Sequence, residues 1–312
     1  MDQKFYVSPS PHLRQGTTTQ KLMLDVIIAL IPAIIASTII FGFRSLLVIS
    51  VTVASCVFSE FVSRKIMKRE DTISDLSAVV TGILLSFNLP VNIKLSIAAF
   101  GGVVAIVVVK QMFGGIGQNF VNPALTARIV LMVSFPTAMT SWTKAFVYSD
   151  FFVDAATTAT PLSIKGHKGS MLSYWELFFG AHGGCLGETC ALALILGGAY
   201  LIIKKVINPE ISLAYIGTVV VIALLAGQDP IYHILSGGLL LGAIFMATDY
   251  ATSPICFKGR FVFGIGCGLL TMLIRLFGVL PEGVSFSIII MNILVPHIEG
   301  LFIPKPYGEQ NS

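Results

Sequence analysis

Charge is what this chain has least of. Only 12% of its 312 residues are Asp, Glu, Lys or Arg, against 55% hydrophobic, and the mean hydropathy is +0.86. Soluble globular domains carry about a quarter charged residues, so that class is excluded. Cysteine is sparse too: Cys56, Cys185, Cys190, Cys256 and Cys267 form an odd set of five with no CxxC pair. Most lie in or beside apolar runs, where cysteine acts as a small hydrophobe; Cys185 and Cys190 are the one close pair, open to a metal or disulfide role but read as packing residues. There is no Walker A loop, no HExxH and no four-cysteine cluster. Electrons passing through such a chain need an organic carrier. The polar start, Met1 to Lys21, lacks an apolar core and is no cleaved signal peptide. The net charge of +4 then bears on orientation at a membrane, not on nucleic acid.

What the chain does have is a series of apolar runs of bilayer-spanning length. Ten spans are expected, at about 22–40, 45–63, 75–89, 94–111, 120–135, 186–203, 211–227, 231–248, 261–278 and 284–302. The third and fifth are short. Pro32, Pro90, Pro123 and Pro296 fall within or at the ends of spans, and such backbone breaks survive at membrane depth only when buried in protein or lining a cavity. The fold class is thus an all-α polytopic membrane protein. With the N-terminus inside, the cytoplasmic side receives 13 basic residues and the other side 6, with Arg128 inside a span. By the positive-inside rule both termini are cytoplasmic, and the loop from Pro136 to Cys185 is outside.

Five spans on each side of that loop imply two inverted five-helix repeats. Thr81–Leu85 matches Gly237–Leu241 weakly, and Lys110–Gly114 matches Arg275–Gly278. The expected organisation is a cytoplasmic segment 1–21, membrane repeats 22–135 and 186–302, an extracytoplasmic loop 136–185 and a cytoplasmic tail 303–312. Inverted repeats place their site where interrupted helices meet at the midplane.

Two stretches are candidate sites. In Gly114–Ala124 the glycines admit close backbone approach, and the amides of Asn119 and Asn122 suit a flat heterocycle of carbonyls and ring nitrogens. The plain alternative is a glycine-rich turn into a span that starts at Asn122-Pro123. Arg128 in so short a span demands a partner or a cofactor. Asp25, Glu60, Glu188, Asp229, His233, Asp249 and Glu299 lie in or at the edges of spans. Asp249 reads as either a contact or an ordinary helix end, and His233 as a satisfied core residue. The second stretch is Asp154-Ala155-Ala156-Thr157-Thr158-Ala159-Thr160-Pro161, in the longest polar interruption of the chain. It reads as an exposed loop tip, reachable by another enzyme, or as a plain solvated connector.

The order Asp154, Thr157, Ala159, Thr160 resembles the flavinylation motif D-x-x-[S/T]-x-A-T. Together with Ser8–His12, Asp25–Ala33, Gly114–Arg128, Ala247-Thr248-Asp249 and Met291–Pro296, it makes essentially the whole chain similar to one family. That family holds the D subunit of the Rnf complex, an ion-translocating ferredoxin:NAD⁺ oxidoreductase, and the B subunit of the sodium-pumping NADH:quinone oxidoreductase. The resemblance implies a urea-transporter-like fold of ten transmembrane helices in a bacterial or archaeal plasma membrane. It implies FMN joined by a phosphoester to Thr160, with Asp154, Thr157, Thr158 and Ala159 as the surrounding motif, and it leaves room for a non-covalent riboflavin near Asn119, Asn122 and Arg128. Thr158 stands where Gly or Ser is usual and Ala155 where Gly is frequent, but only Thr160 follows the alanine. The implied partners are Rnf subunits of the A, B, C, E and G types, a flavin transferase, and Na⁺ or H⁺. Two other functions compete: a solute transporter of urea-transporter architecture without redox work, and a structural assembly subunit.

Overall fold

The computed structural model describes residues 18–146, 160–164, 172–278 and 282–302. The Thr18 side chain accepts from Lys21 N and starts α1 (Thr19–Phe41). Gly42, at a φ of 76° that favours glycine, parts it from α2 (Phe43–Ile66). There follow α3 (Ser77–Phe87), α4 (Leu95–Val103), running on as a π-helix to Gln111, α5 (Pro123–Ser134) and the single turn α6 (Pro136–Met139). Beyond the undescribed loop come the short α7 (Pro161–Ile164) and α8 (Tyr174–Phe179), then α9 (Ala191–Ile203) and α10 (Pro209–Leu225). The chain ends with α11 (Pro230–Leu235), α12 (Leu239–Leu241) with a π-helical continuation Gly242–Met246, α13 (Phe257–Phe277) and α14 (Val284–Phe302).

Every expected span thus holds helix, but not all as continuous rods. Among the described residues four helices, α1, α2, α13 and α14, are long and apolar enough to cross a bilayer, and there is no extended strand pair forming a sheet. The stretch expected as one span at 231–248 is broken into α11, α12 and the π-turn. Asp229 caps and Pro230 opens α11, and Gly237 at φ 67° with Gly238 separates it from α12.

Helices that are apolar all round have no need of a wet face. On α1, Ile28, Ile31, Ile35 and Ile39 stand exposed on one stripe while Ala29, Leu30, Ala33 and Ser37 are buried on the other. That is the pattern of a lipid-facing helix. Small residues set the crossings: a Cβ on Gly197 of α9 would lie 2.1 Å from Ala29 O of α1, and one on Gly264 of α13 would lie 2.7 Å from Ile211 O of α10. The helices pack as α1 on α9, α2 on α3 and α4, α10 on α13, α13 on α14 and α5 on α14. At the centre sit the broken elements: all of α3 except Val79 is buried, as is everything from Leu239 to Met246. Short, interrupted helices sheltered in this way are where a membrane protein tolerates irregular backbone.

Candidate functional site

Thr160 departs from the expected exposed loop tip: it is buried, with 7% of its surface exposed. The residues after it explain why. Tyr232 OH on α11 donates to Pro161 O at 2.7 Å, and Leu162, itself buried, fills the space that a side chain on Gly237 would need. The segment is therefore pinned onto α11. Asp154, Thr157, Thr158 and Ala159 lie outside the described residues.

Thr160 borders a small cavity of about 10 Å³, room for about one water, also lined by His182, Gly183, Gly184, Glu188, Gly237 and Glu282. His182 is buried, with Nδ1 3.2 Å from Gly183 O, and burial pushes its pKa below the ordinary histidine value. Its Nε2, the Thr189 hydroxyl and the Ser236 hydroxyl are buried without a hydrogen-bond partner among the described residues. Such groups cost about 1–3 kcal/mol each when left unmade. Of the three, His182 lines the cavity, and Ser236 directly precedes its lining residue Gly237.

Behind the cavity lies Arg128. Its Nη1 donates to Asn88 Oδ1 at 2.5 Å and Glu188 Oε1 at 3.0 Å, and its Nη2 donates to Cys185 Sγ at 3.6 Å and to Glu282. The partner expected for a membrane arginine is thus a pair of carboxylates, gathered from the turns before α9 and α14. A planar guanidinium fork can meet both at once. The ligand atoms of Cys185, Glu188 and Glu282 lie within 4.8 Å of one another, a spacing suited to a cation, and the arginine serves as that cation. Cys185 is accordingly not a mere packing residue: its thiol also donates to Asn88 O at 3.4 Å.

Near the N-terminal end of α1 opens a larger cleft of about 110 Å³. Leu22, Val26, Leu84 and Phe245 supply apolar walls, and Ser77, Lys110, Asn119, Asn122, Thr248 and Asp249 polar ones. Asn122 also caps α5, its Oδ1 accepting from Ala124 N and Leu125 N, while Nδ2 donates to Met246 O at 3.4 Å. Asn119 Nδ2 donates to Val121 O at 3.1 Å. Lys110, counted from sequence as a cytoplasmic surface charge, is buried. It donates to Glu60 Oε1 at 2.9 Å and Ser77 Oγ at 2.5 Å, and Gln111 and Thr72 complete the shell of Glu60. Arg64 and Arg275 are also buried, and the basic asymmetry keeps its sign without these three.

Asn119 and Asn122 therefore share the cleft, whereas Arg128 belongs to the Thr160 side. The two meet at Met246, whose carbonyl accepts from Asn122 and whose sulfur lies 3.6 Å from Asn88 Nδ2. His233 is the satisfied core histidine expected, with Nε2 2.7 Å from Gln228 Oε1. Asp229 is a helix cap, Asp25 accepts from Tyr200 OH at 2.8 Å, and Glu299 accepts from Ile255 N at 2.8 Å. Asp249 lines the cleft and accepts from Thr252 Oγ1 at 3.3 Å. Nothing in the sequence marked out Asn88, His182 or Glu282. Each sits in a turn, where a polar residue is ordinary, and only the reach of Arg128 or the wall of the cavity singles them out.

The profile of the NQR2, RnfD, RnfE family matches residues 6–308. The chain belongs to that family. Within it, the chain is 50% identical over 306 residues to the D subunit of the Na(+)-translocating ferredoxin:NAD(+) oxidoreductase complex of Acetobacterium woodii, covering 97% of this chain and 95% of the relative. It is 42% identical over 321 residues to the D subunit of the proton-translocating ferredoxin:NAD(+) oxidoreductase complex of Clostridium ljungdahlii, covering 97% and 96%. To the D subunit of the ion-translocating oxidoreductase complex of Escherichia coli K12 it is 32% identical over 348 residues, covering 98% and 99%. Family membership accounts for the multi-pass apolar architecture.

Proposed function

We propose that this chain is the D-type membrane subunit of an Rnf complex, an ion-translocating ferredoxin:NAD⁺ oxidoreductase, and that it carries FMN in phosphoester linkage on Thr160. The observation that carries the reading is full-length likeness to subunits so named, in a chain that holds the motif threonine. Its task is to pass electrons coupled to movement of Na⁺ or H⁺, alongside subunits of the A, B, C, E and G types.

The residues fit the group. A phosphate ester on Thr160 would stand beside His182, whose Nε2 has no hydrogen-bond partner among the described residues. FMN, once attached, supplies one- and two-electron chemistry that no side chain here offers. Attachment forms an Oγ–P bond as the hydroxyl loses its proton and a P–O bond to a leaving nucleotide breaks. The donor is therefore a flavin nucleotide activated as a pyrophosphate, handled by a flavin transferase. Thr160 then acts as a tether that keeps the ring at high effective concentration beside its redox partner. The cleft at Asn119 and Asn122, with its apolar walls and amides, is where a non-covalent riboflavin would bind, and Arg128 lies outside it, paired with Glu188 and Glu282.

Ten crossings in two inverted repeats, with a urea-transporter-like course, both termini cytoplasmic and Thr160 outside, complete the proposal. The packing supports the repeat: α1 meets its counterpart α9, and α5 meets α14. The offset that aligns Thr81 with Gly237 also aligns Ser77 with His233. Lys110 donates to Ser77 Oγ, and Arg275, its match, donates to His233 O at 2.7 Å. Expression with a flavin transferase should yield an FMN-sized mass adduct on the Thr160 peptide, absent in Thr160→Ala. An unmodified peptide would rule the covalent flavin out.

A further inference from the structure

We propose that the short helix α8 lies in the lipid–water boundary of the outer leaflet, and that it sets the height at which Thr160 is held. Four of its six residues are aromatic. Trp175 is 70% exposed, Tyr174 and Phe179 are half-exposed, Leu177 is fully buried and Phe178 leans on the core. The helix is well closed at both ends. Ser173 and Glu176 form a capping box, with Ser173 N donating to Glu176 Oε2 at 2.8 Å, and Gly180 at φ 89° ends it. Trp175 stacks on Phe179 with ring centres 6.0 Å apart and 17° between planes, and Phe178 meets Phe179 edge-on at 5.4 Å. Large rings are thus held outward on a fixed support.

Lipid is the occupant that the surroundings specify. Helix α8 packs against α9 and α11, and α11 against α10. On those three helices Ile195, Leu196, Leu224, Leu225 and Ile231 are exposed as well. The aromatic face therefore continues the apolar surface that the spanning helices turn to acyl chains. The carboxylates near it are engaged by the protein itself: Glu176 by the start of its own helix, and Asp229 by Tyr174 OH and the N–H groups of Ile231 and Tyr232. Trp and Tyr join an apolar ring to a polar donor, so they collect where hydrocarbon gives way to headgroups.

The height of Thr160 follows from a short run of contacts. Tyr174 OH donates to Asp229 Oδ2, and Asp229 Oδ1 caps α11 by accepting from Ile231 N at 2.9 Å. Tyr232, the next residue, donates from its hydroxyl to Pro161 O at 2.7 Å. Helix α11 is thus a bracket between the aromatic helix and the segment that carries Thr160. A group tethered there stands at headgroup level, and its electron partner meets it at the membrane surface. The lipid contact of α8 does not depend on the covalent flavin; that the leaflet is the outer one rests on the orientation proposed above.

The test is photo-crosslinking in whole membranes. Benzoylphenylalanine in place of Trp175, in the full chain assembled in its complex, should on irradiation add the mass of one phospholipid to the α8 peptide, as it should in place of the exposed Leu196 on α9. A cross-link from position 175 to another protein, or none where position 196 captures lipid, overturns the interfacial helix. A second measurement uses the native ring. The chain has two tryptophans, so Trp142→Phe leaves Trp175 alone. In nanodiscs, lipids brominated near the headgroup end of the chain should quench its fluorescence about twofold more than lipids brominated near the methyl end. Equal quenching at both depths, or none, overturns the placement. Lipid capture at position 175 together with labelling of position 144 from the cytoplasmic side overturns the outer leaflet alone and leaves the interfacial helix standing.

Discussion

Arg128 is the residue on which most of the buried polar structure depends. One guanidinium faces two carboxylates, an amide and a thiol, at 2% side-chain exposure. Removing one member of a buried ion pair leaves an uncompensated charge, a loss of about 3–5 kcal/mol. Arg128→Met should therefore lower the unfolding temperature of the detergent-solubilised protein sharply. Adding Glu188→Gln and Glu282→Gln to that variant should restore a large part, since the stranded charges go with them. Arg128→Lys should fall between, because an ammonium is a point charge and cannot span both acids as the fork does. The same logic applies at Glu60. Lys110→Met strands a carboxylate with no exposed surface and should cost a similar amount, and Glu60→Gln in the same chain should offset it. That Arg128 needed company was legible, because an arginine in a 12-residue apolar helix is too costly alone. Which acids answered it was not, since Glu282 comes from 154 positions away in a turn.

At the scale of elements, the crossings are set by glycine. Gly197→Val should disrupt the α1–α9 contact, where even a Cβ would fall 2.1 Å from Ala29 O, and size-exclusion profiles should show loss of the monodisperse protein. Gly217→Ala on α10 meets nothing within 4 Å and should be neutral or slightly stabilising. The contact of Tyr232 with Pro161 O is a single hydrogen bond of about 1 kcal/mol. Tyr232→Phe should raise hydrogen exchange at residues 160–164 without changing the melting of the bundle. Long uniform helices such as α1 and α13 were readable because hydropathy alone decides them. The eighth span was not, because Leu239–Met246 is as apolar as any rod. Its break comes from Gly237, Gly238 and Ser236, with the carbonyls freed there taken up by Arg275 from another helix. The burial of Thr160 was hidden for a like reason. Its neighbours on the N-terminal side are small and polar, and the contact that fastens its segment, Tyr232 to Pro161 O, comes from 71 positions away.

For the whole molecule, the distribution of basic residues makes a directional prediction. Cysteines placed singly at Lys68 and Lys144, both exposed, should differ in intact cells. A membrane-impermeant maleimide should label position 144 and spare position 68 until the membrane is opened. The reverse pattern would turn the protein over and put Thr160 in the cytosol.

A transferase is itself a folded catalyst, and Thr160, 7% exposed beside a segment that Tyr232 fastens to α11, gives it little surface to act on. Modification and closure are therefore competitors in time. Copies that fold before they meet the transferase lock themselves out, and remain intact in shape yet unable to conduct. The ratio of flavinylated to bare protein in a cell should then follow the rate of membrane insertion relative to transferase supply, so that overproduction alone yields a well-folded and largely colourless population.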